Sequence, residues 1–206
     1  MLKLDHLAVS CGSLGEGREA VEAALGVTMQ AGGKHAQFGT ENMLLGLEAG
    51  IYLEVIAIDP FATPLQVPRW FDLDCFSGPP RLSNWICATD DMGAAIAAAP
   101  NGIGEPVALQ RGDLAWTMAV AKDGKVPYGG AFPALIKWGG DGRNPARRLM
   151  SSNCALKRLV LGHPEPEALQ VALAGMVSDP RVVIESSREV RLIAEISTPY
   201  GVKTLL

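Results

Sequence analysis

Three times along this chain an apolar, strand-like run leads into a helical stretch and then into further short strands, and that recurrence limits the folds open to it. In the first unit LKLDHLAVSC reads as a strand. Ser13 and Glu16 then form an S-x-x-E capping box ahead of EGREAVEAAL, whose Val21, Ala24 and Leu25 make an apolar stripe ended by Gly26. VTMQAGGKHAQFG, ENMLLGLEAG and IYLEVIAID follow as strands between glycine-containing turns, so residues 1–60 read as βαβββ. RLSNWICATDDM opens a second βαβββ unit, 81–140, in which Thr89 or Asp90 is expected to cap the helix DMGAAIAAA. Within it Arg111, Gly112 and Asp113 read as the turn of a hairpin between PVALQ and LAWTMAVAK, and AFPALIKW is the last strand before the glycine-rich GGDGRNP. A third unit, 151–206, contains ALKRLVLGH, the helix PEPEALQVALAGM with Pro166 and Glu167 in its first turn, RVVIESS and VRLIAEIS; it reads as a truncated βαββ. A recurrence of roughly fifty residues is long for a solenoid and suits paired modules sharing one sheet, an α+β architecture.

Residues 61–80 connect the first two units with prolines, aromatics and an acidic pair but no sustained period. Loops of this length are uncommon in compact domains and are often functional, which makes Arg69, Trp70 and Phe71 candidates for a pocket wall. Pinning the connection to the core is the competing role for the two aromatics.

With 48% hydrophobic residues among 206, the chain can bury a substantial core. Its 18 Lys and Arg against 22 Asp and Glu leave no basic face on which to propose nucleic-acid binding. Asp5 and His6 interrupt the apolar run that a signal peptide would need, and no stretch reaches the roughly 18 apolar residues of a membrane span, so a cytoplasmic location is expected. Cys11, Cys75, Cys87 and Cys154 are dispersed without a CxxC pair and are expected to be reduced, mostly buried thiols.

Two polar side chains stand out against this background. His6 interrupts LDHLAV and Glu54 interrupts YLEVI, and an unpaired buried charge costs several kcal/mol, roughly, so each requires a partner: a metal, a substrate or the other residue. His35, after Gly32 and Gly33, is placed near a pocket mouth as an additional ligand candidate, and His163, before Pro164, is read as structural. Trp70, Trp85, Trp116 and Trp138 all fall in the connection and second unit, which suggests a pocket with one polar and one aromatic wall for a small, partly apolar ligand bearing oxygens; core packing is the alternative for each.

The order of these units, with His in L-D-H-L-A-V and Glu in Y-L-E-V-I, followed by PRWFDLD and the W-x-I-x-T-x-D segment at Trp85, resembles the vicinal oxygen chelate superfamily and its glyoxalase-like domain group. The resemblance implies a mixed sheet of paired βαβββ modules curled around a pocket, with His6 and Glu54 facing one concavity. It also implies one divalent ion, Fe, Mn, Zn or Ni, acting as a Lewis acid on vicinal oxygens, and a homodimer as a common assembly. LSNWICAT and AFPALIKW, however, offer Asn84, Trp85 and Trp138 where His, Asp or Glu would complete the ligand set, so only His6 and Glu54 are metal candidates. Pairing the third unit with the first instead sets Arg158 against His6 and Glu195 loosely against Glu54, and arginine is not a metal ligand. Two functions follow from the resemblance: a lyase, isomerase or dioxygenase acting on a small oxygenated metabolite, with Glu54 as base if no metal is held, or a non-catalytic protein that binds small molecules.

Overall fold

The computed structural model describes residues 1–140 and 144–206, so part of the glycine-rich run after Trp138 lies outside the described residues. The first unit comprises β1 (Lys3–Ser10), α1 (Leu14–Leu25), β2 (Gln30–His35), β3 (Thr40–Gly46) and β4 (Tyr52–Ile58). Its capping box forms as the sequence predicts. Ser13 Oγ accepts from the backbone N–H of Glu16 and donates to its carboxylate, while Gly26 adopts the left-handed conformation, φ 73°, that closes the helix. The second unit repeats the order as β5 (Arg81–Ala88), α2 (Met92–Ala98), β6 (Glu105–Arg111), β7 (Leu114–Val120) and β8 (Ala134–Trp138). Here the cap is Asp91, one residue beyond the expected pair; its carboxylate accepts from Ala94 N–H at 3.0 Å, while Thr89 Oγ accepts from Asp91 N–H.

These two units share one eight-stranded sheet in the order β2-β3-β4-β1-β5-β8-β7-β6. In each module the first and last strands run parallel, β1 with β4 and β5 with β8, and the antiparallel β1–β5 pair joins the halves. The sheet curls strongly enough that its two edge strands, β2 and β6, come into contact.

Strand periodicity sorts the side chains between two faces. Leu7, Val9, Leu53, Val55, Cys87 and Leu135 point outward into the larger core, under the helices. Ala8, Ile56, Ile86, Met118 and Ile136 form a smaller cluster on the inner face, closed by Phe38, Trp70 and Phe71.

The third unit departs from the expectation in two ways. After β9 (Ala155–His163), α3 (Pro166–Leu173), β10 (Val182–Ser186) and β11 (Arg191–Thr198) comes a further strand, β12 (Gly201–Leu205). The strand order is β10-β9-β11-β12, with β10 parallel beside β9, so this unit is a βαβ crossover extended by an antiparallel hairpin rather than a third copy of the module. It forms a separate sheet whose Leu159, Leu161, Ala194 and Ile196 join the outer core of the first. No helix among the described residues is long and apolar enough to cross a membrane.

Candidate functional site

On the inner face His6 lies one strand from Glu54, since β1 and β4 pair in parallel. The ladder between β1 and β5 shifts register between Leu4 and His6, leaving Asp5 as a bulge residue. A bulge suspends the alternation of faces and re-aims a side chain, which explains how neighbours in sequence can face each other. Asp5 Oδ1 sits 2.7 Å from His6 Nδ1, and its other oxygen accepts from the Trp138 indole N–H at 2.9 Å and from Asn144 at 3.3 Å. The second imidazole nitrogen, Nε2, faces Glu54 Oε2 at 3.6 Å, longer than a good hydrogen bond, and the ring stacks on Tyr52 with centroids 4.4 Å apart.

Glu54 is gripped from the other side. Its Oε1 accepts from Asn42 Nδ2, and Asn42 Oδ1 accepts from Gly33 N–H at 2.8 Å and from the Arg111 guanidinium at 3.0 Å. A Cβ at Gly32 would lie 2.1 Å from Asn42 Oδ1, and one at Gly33 would lie 2.9 Å from Arg111 Cδ, so this glycine pair is required by close approach. Arg111 also donates to His35 Nε2 at 3.2 Å, which leaves Nδ1–H to donate to Thr40 Oγ1 at 3.0 Å. Arg111 therefore ties edge strand β6 to edge strand β2 across the mouth of the curl.

These contacts set the charges. Burial alone would push the His6 proton off, but the Asp5 hydrogen bond and the charges of Asp5 and Glu54 outweigh it and hold its pKa up at about 9. Burial likewise favours the neutral form of Glu54, yet His6, the charge at His35 and the Asn42 hydrogen bond bring it down to about 2. The sequence expectation that burial would raise Glu54 toward a useful base is thus corrected for the resting site: its neighbours prevail. His35 goes the opposite way, to about 4, because burial is reinforced by the charges of Arg111 and His6. Tyr52 is held well above its ordinary range, chiefly by burial, and stays a neutral phenol. The inner face consequently holds Asp5⁻, His6⁺, Glu54⁻ and Arg111⁺ beside a neutral His35.

Between these groups lies a chamber of about 30 Å³, room for little more than a water molecule. His6, His35, Asn42, Tyr52, Glu54 and Arg111 form one wall; Trp70, Phe71, Trp116, Trp138, Met118 and Ile136 form the other. Trp70 stacks on Phe38 at 4.3 Å and Trp116 tilts against Trp138 at 5.8 Å, so the aromatic wall draws on three separate segments.

Three residues expected in the pocket lie elsewhere. Trp85 shares its strand face with Cys87, which points into the outer core; it is fully buried there and its indole N–H donates to Ala131 O at 2.9 Å. Arg69 pairs with Asp74, through both backbone N–H and guanidinium, outside the chamber lining. Arg158 is on β9 of the second sheet, paired with Glu185 and Glu195, because the partner of the first module is the second and not the third. His163 is structural as expected: it is buried, and its Nδ1 accepts from Glu165 N–H at 2.9 Å. Cys11, Cys87 and Cys154 are buried free thiols, and Cys75 is exposed.

Sequence reasoning missed Asp5, Asn42, Tyr52 and Arg111. Adjacency to His6 and Glu54 is a signal for Asp5 and Tyr52. Arg111 carried the opposite signal, since Arg-Gly-Asp reads as turn chemistry, and it does occupy the last position before a hairpin turn.

The metal that the resemblance implies does not fit these residues. His6 Nε2 and Glu54 Oε2 are two donors, while the inner faces of β5 and β8 present Ile86 and Ile136. His35 Nε2 is engaged by Arg111, whose own positive charge opposes a second cation. Among the described residues no three or more His, Cys, Asp or Glu gather as a metal site, and strong transition-metal sites use three or more protein ligands.

A family model described as a glyoxalase-like domain matches residues 4–177. Among solved structures, a hypothetical protein from Staphylococcus aureus aligns with a TM-score of 0.65 at 13% identity, over 93% of this chain and 88% of that one. Methylmalonyl-CoA epimerase from Mycobacterium tuberculosis aligns with a TM-score of 0.43 at 15% identity, over 66% of this chain and 86% of that one. No curated protein matches the chain.

Proposed function

Because the chain belongs to the glyoxalase-like domain family, we propose that it is a metal-independent proton-transfer enzyme of isomerase or lyase type, acting on a small oxygenated metabolite at His6 and Glu54. The observation that carries this reading is the buried His6 ring, held by Asp5 on one nitrogen and opening toward Glu54 and the chamber on the other.

A carbonyl or carboxylate oxygen entering between His6 Nε2 and Glu54 Oε2 takes over the imidazolium N–H. Glu54 then loses the partner that most lowers its pKa, while burial, which raises it, remains. The substrate itself converts a resting carboxylate into a base. Glu54 removes a proton from the carbon next to the one that bears the bound oxygen, the electron pair forms a double bond between the two carbons and displaces the C=O pair onto that oxygen, and His6 stabilises the resulting oxyanion. Returning a proton to the opposite face of that carbon, or to the other carbon of the enediolate of a hydroxy-carbonyl compound, completes an isomerisation; expelling a group from the next carbon, with the proton held on Glu54 passed to the departing group, completes an elimination. Asn42 and Arg111 keep Glu54 aimed throughout. The apolar inner faces of β5 and β8 favour this over a dioxygenase, which needs an iron site that these donors do not build.

Hydrogen exchange tests the proposal. Small 2-oxo and 2-hydroxy acids incubated with the protein in deuterated water should incorporate deuterium at the adjacent carbon, read by NMR, and Glu54→Gln should lower the rate about 10²–10⁴-fold. A compound that binds, quenches tryptophan fluorescence and never exchanges would support the sequestering reading, which the aromatic wall favours.

A further inference from the structure

A chamber of about 30 Å³ cannot enclose a metabolite, whereas small-molecule sites run to roughly 300–1,000 Å³. A second cavity of about 640 Å³ lies where the end of β5 meets β11, and Phe71 lines both. On the inner face Asn84, which lines this cleft, is two residues along β5 from Ile86, which packs in one cluster with Phe71. Phe71 is thus a partition between a small reactive chamber and a large outer cleft.

Several features mark that partition as movable and the cleft as suited to one kind of molecule. Phe71 and Asp72 are consecutive residues with φ of 59° and 52°, a left-handed conformation that non-glycine side chains avoid. The preceding residue, Trp70, is buried and lines the chamber, yet its indole N–H has no partner among the described residues; a donor left in that state is poised for a ligand oxygen. The cleft is floored by apolar groups such as Phe76, Val190 and Leu192 and carries Arg81, Lys125 and Arg191 against Asp72 and Glu189. Arg81 is engaged by Ser77 O and the Phe76 ring, but Lys125 and Arg191 form no ion pair among the described residues.

We propose that chamber and cleft are the two ends of one binding site for an elongated carboxylic acid, with its oxygen-bearing end at His6 and Glu54 and its apolar stem and second acidic group in the cleft, and that Phe71 swings aside to admit it. The inference rests on the chamber being the reactive end. From His6 to Ser10, the residue paired with Arg81, β1 runs about 13 Å, so short acids leave the cleft empty and longer ones bridge it.

Calorimetric titration with α-ketoglutarate, α-ketoadipate, α-ketosuberate and α-ketosebacate tests this. Affinity should rise about threefold to fourfold per added methylene as the stem enters the cleft. The double variant Lys125→Gln/Arg191→Gln should flatten that dependence, and Phe71→Gly should speed association of the longest acid about tenfold or more in stopped-flow fluorescence. Phe71→Leu serves as the check if the glycine variant melts early. Absence of binding, affinity independent of length, or a length dependence untouched by these variants overturns the proposal. Glu54→Gln separates it from the catalytic reading: exchange lost with length-dependent binding kept supports both. Length-dependent binding by a wild-type protein that never exchanges sinks the chemistry alone, and exchange with flat affinities sinks the bipartite site alone.

Discussion

The two modules of the first sheet share one topology and carry opposite chemistry on their inner faces. β1 to β4 present His6, Glu54, Asn42 and His35, whereas β5 to β8 present Ile86, Ile136, Met118 and two tryptophans. A symmetric metal cage needs donors from both halves; here one half holds a charged network and the other an apolar wall. Arg111 is the exception that links them, reaching from the last strand edge of the apolar half onto Asn42 and His35 of the polar one. The asymmetry turns a fold able to cradle a metal into a site that can handle protons, with charges on one side of the substrate and rings on the other.

The strongest way to break this comparison is to put a charge where the second module has none. Ile86→Glu should destabilise by about 4 kcal/mol or more, read from chemical denaturation, because Ile86 is fully buried in the cluster of Ala8, Ile56 and Phe71, where a carboxylate would lose its hydration. A variant that keeps wild-type stability would show that the apolar half tolerates charge. Trp85→Ala is expected to cost about 3–5 kcal/mol while leaving ligand affinity nearly intact, since Trp85 belongs to the outer core; loss of binding without loss of stability would return it to the pocket.

The pH dependence sharpens the polar side. His6 is raised to about 9, so its contribution is fully present below its ordinary 6.5 and is lost as pH climbs through about 9. Glu54 is lowered to about 2, so its contribution is present above its ordinary 4.5 and is lost as pH falls through about 2. Denaturation midpoints should therefore rise with pH up to about 6.5, first as Glu54 and then as His35, held near 4 by burial, no longer take up protons more readily in the unfolded chain, and fall between about 6.5 and 9 with His6; Glu54→Gln should remove the Glu54 share of the acid limb and weaken the alkaline one. Profiles of identical shape for both proteins would contradict the pairing. The smallest effect concerns His35, which burial and then Arg111 hold near 4: Arg111→Met should move its titration upward in NMR spectra, and an unmoved His35 would put Arg111 outside the network.

Local rules carried much of the fold into the sequence. The capping box at Ser13 and the strand at each apolar run follow from short-range patterns that the structure realises, whereas the approach of His6 to Glu54 is implied by the family resemblance alone. What stayed hidden depends on the sheet as a whole. Alternation in LSNWICAT groups Trp85 with Cys87 but does not say which face turns inward; that is fixed by pairing with β1, where Ile86 lies opposite His6. Arg111 enters the site only because the sheet curls until its edges meet, a contact between residues far apart in sequence. The bulge at Asp5 is likewise a property of the β1–β5 ladder, and the strand order of the third unit follows from its crossover and not from its pattern of strands.

The claim at the centre of this account is that the polar module stores an ion pair, Asp5⁻–His6⁺–Glu54⁻, which the substrate splits. Nitrogen NMR of the three histidines across pH measures it directly. His6 should remain an imidazolium through neutrality and titrate near 9, His35 should be neutral, and a bound oxygenated acid should shift His6 without discharging it. A His6 that is already neutral at pH 7 would contradict it.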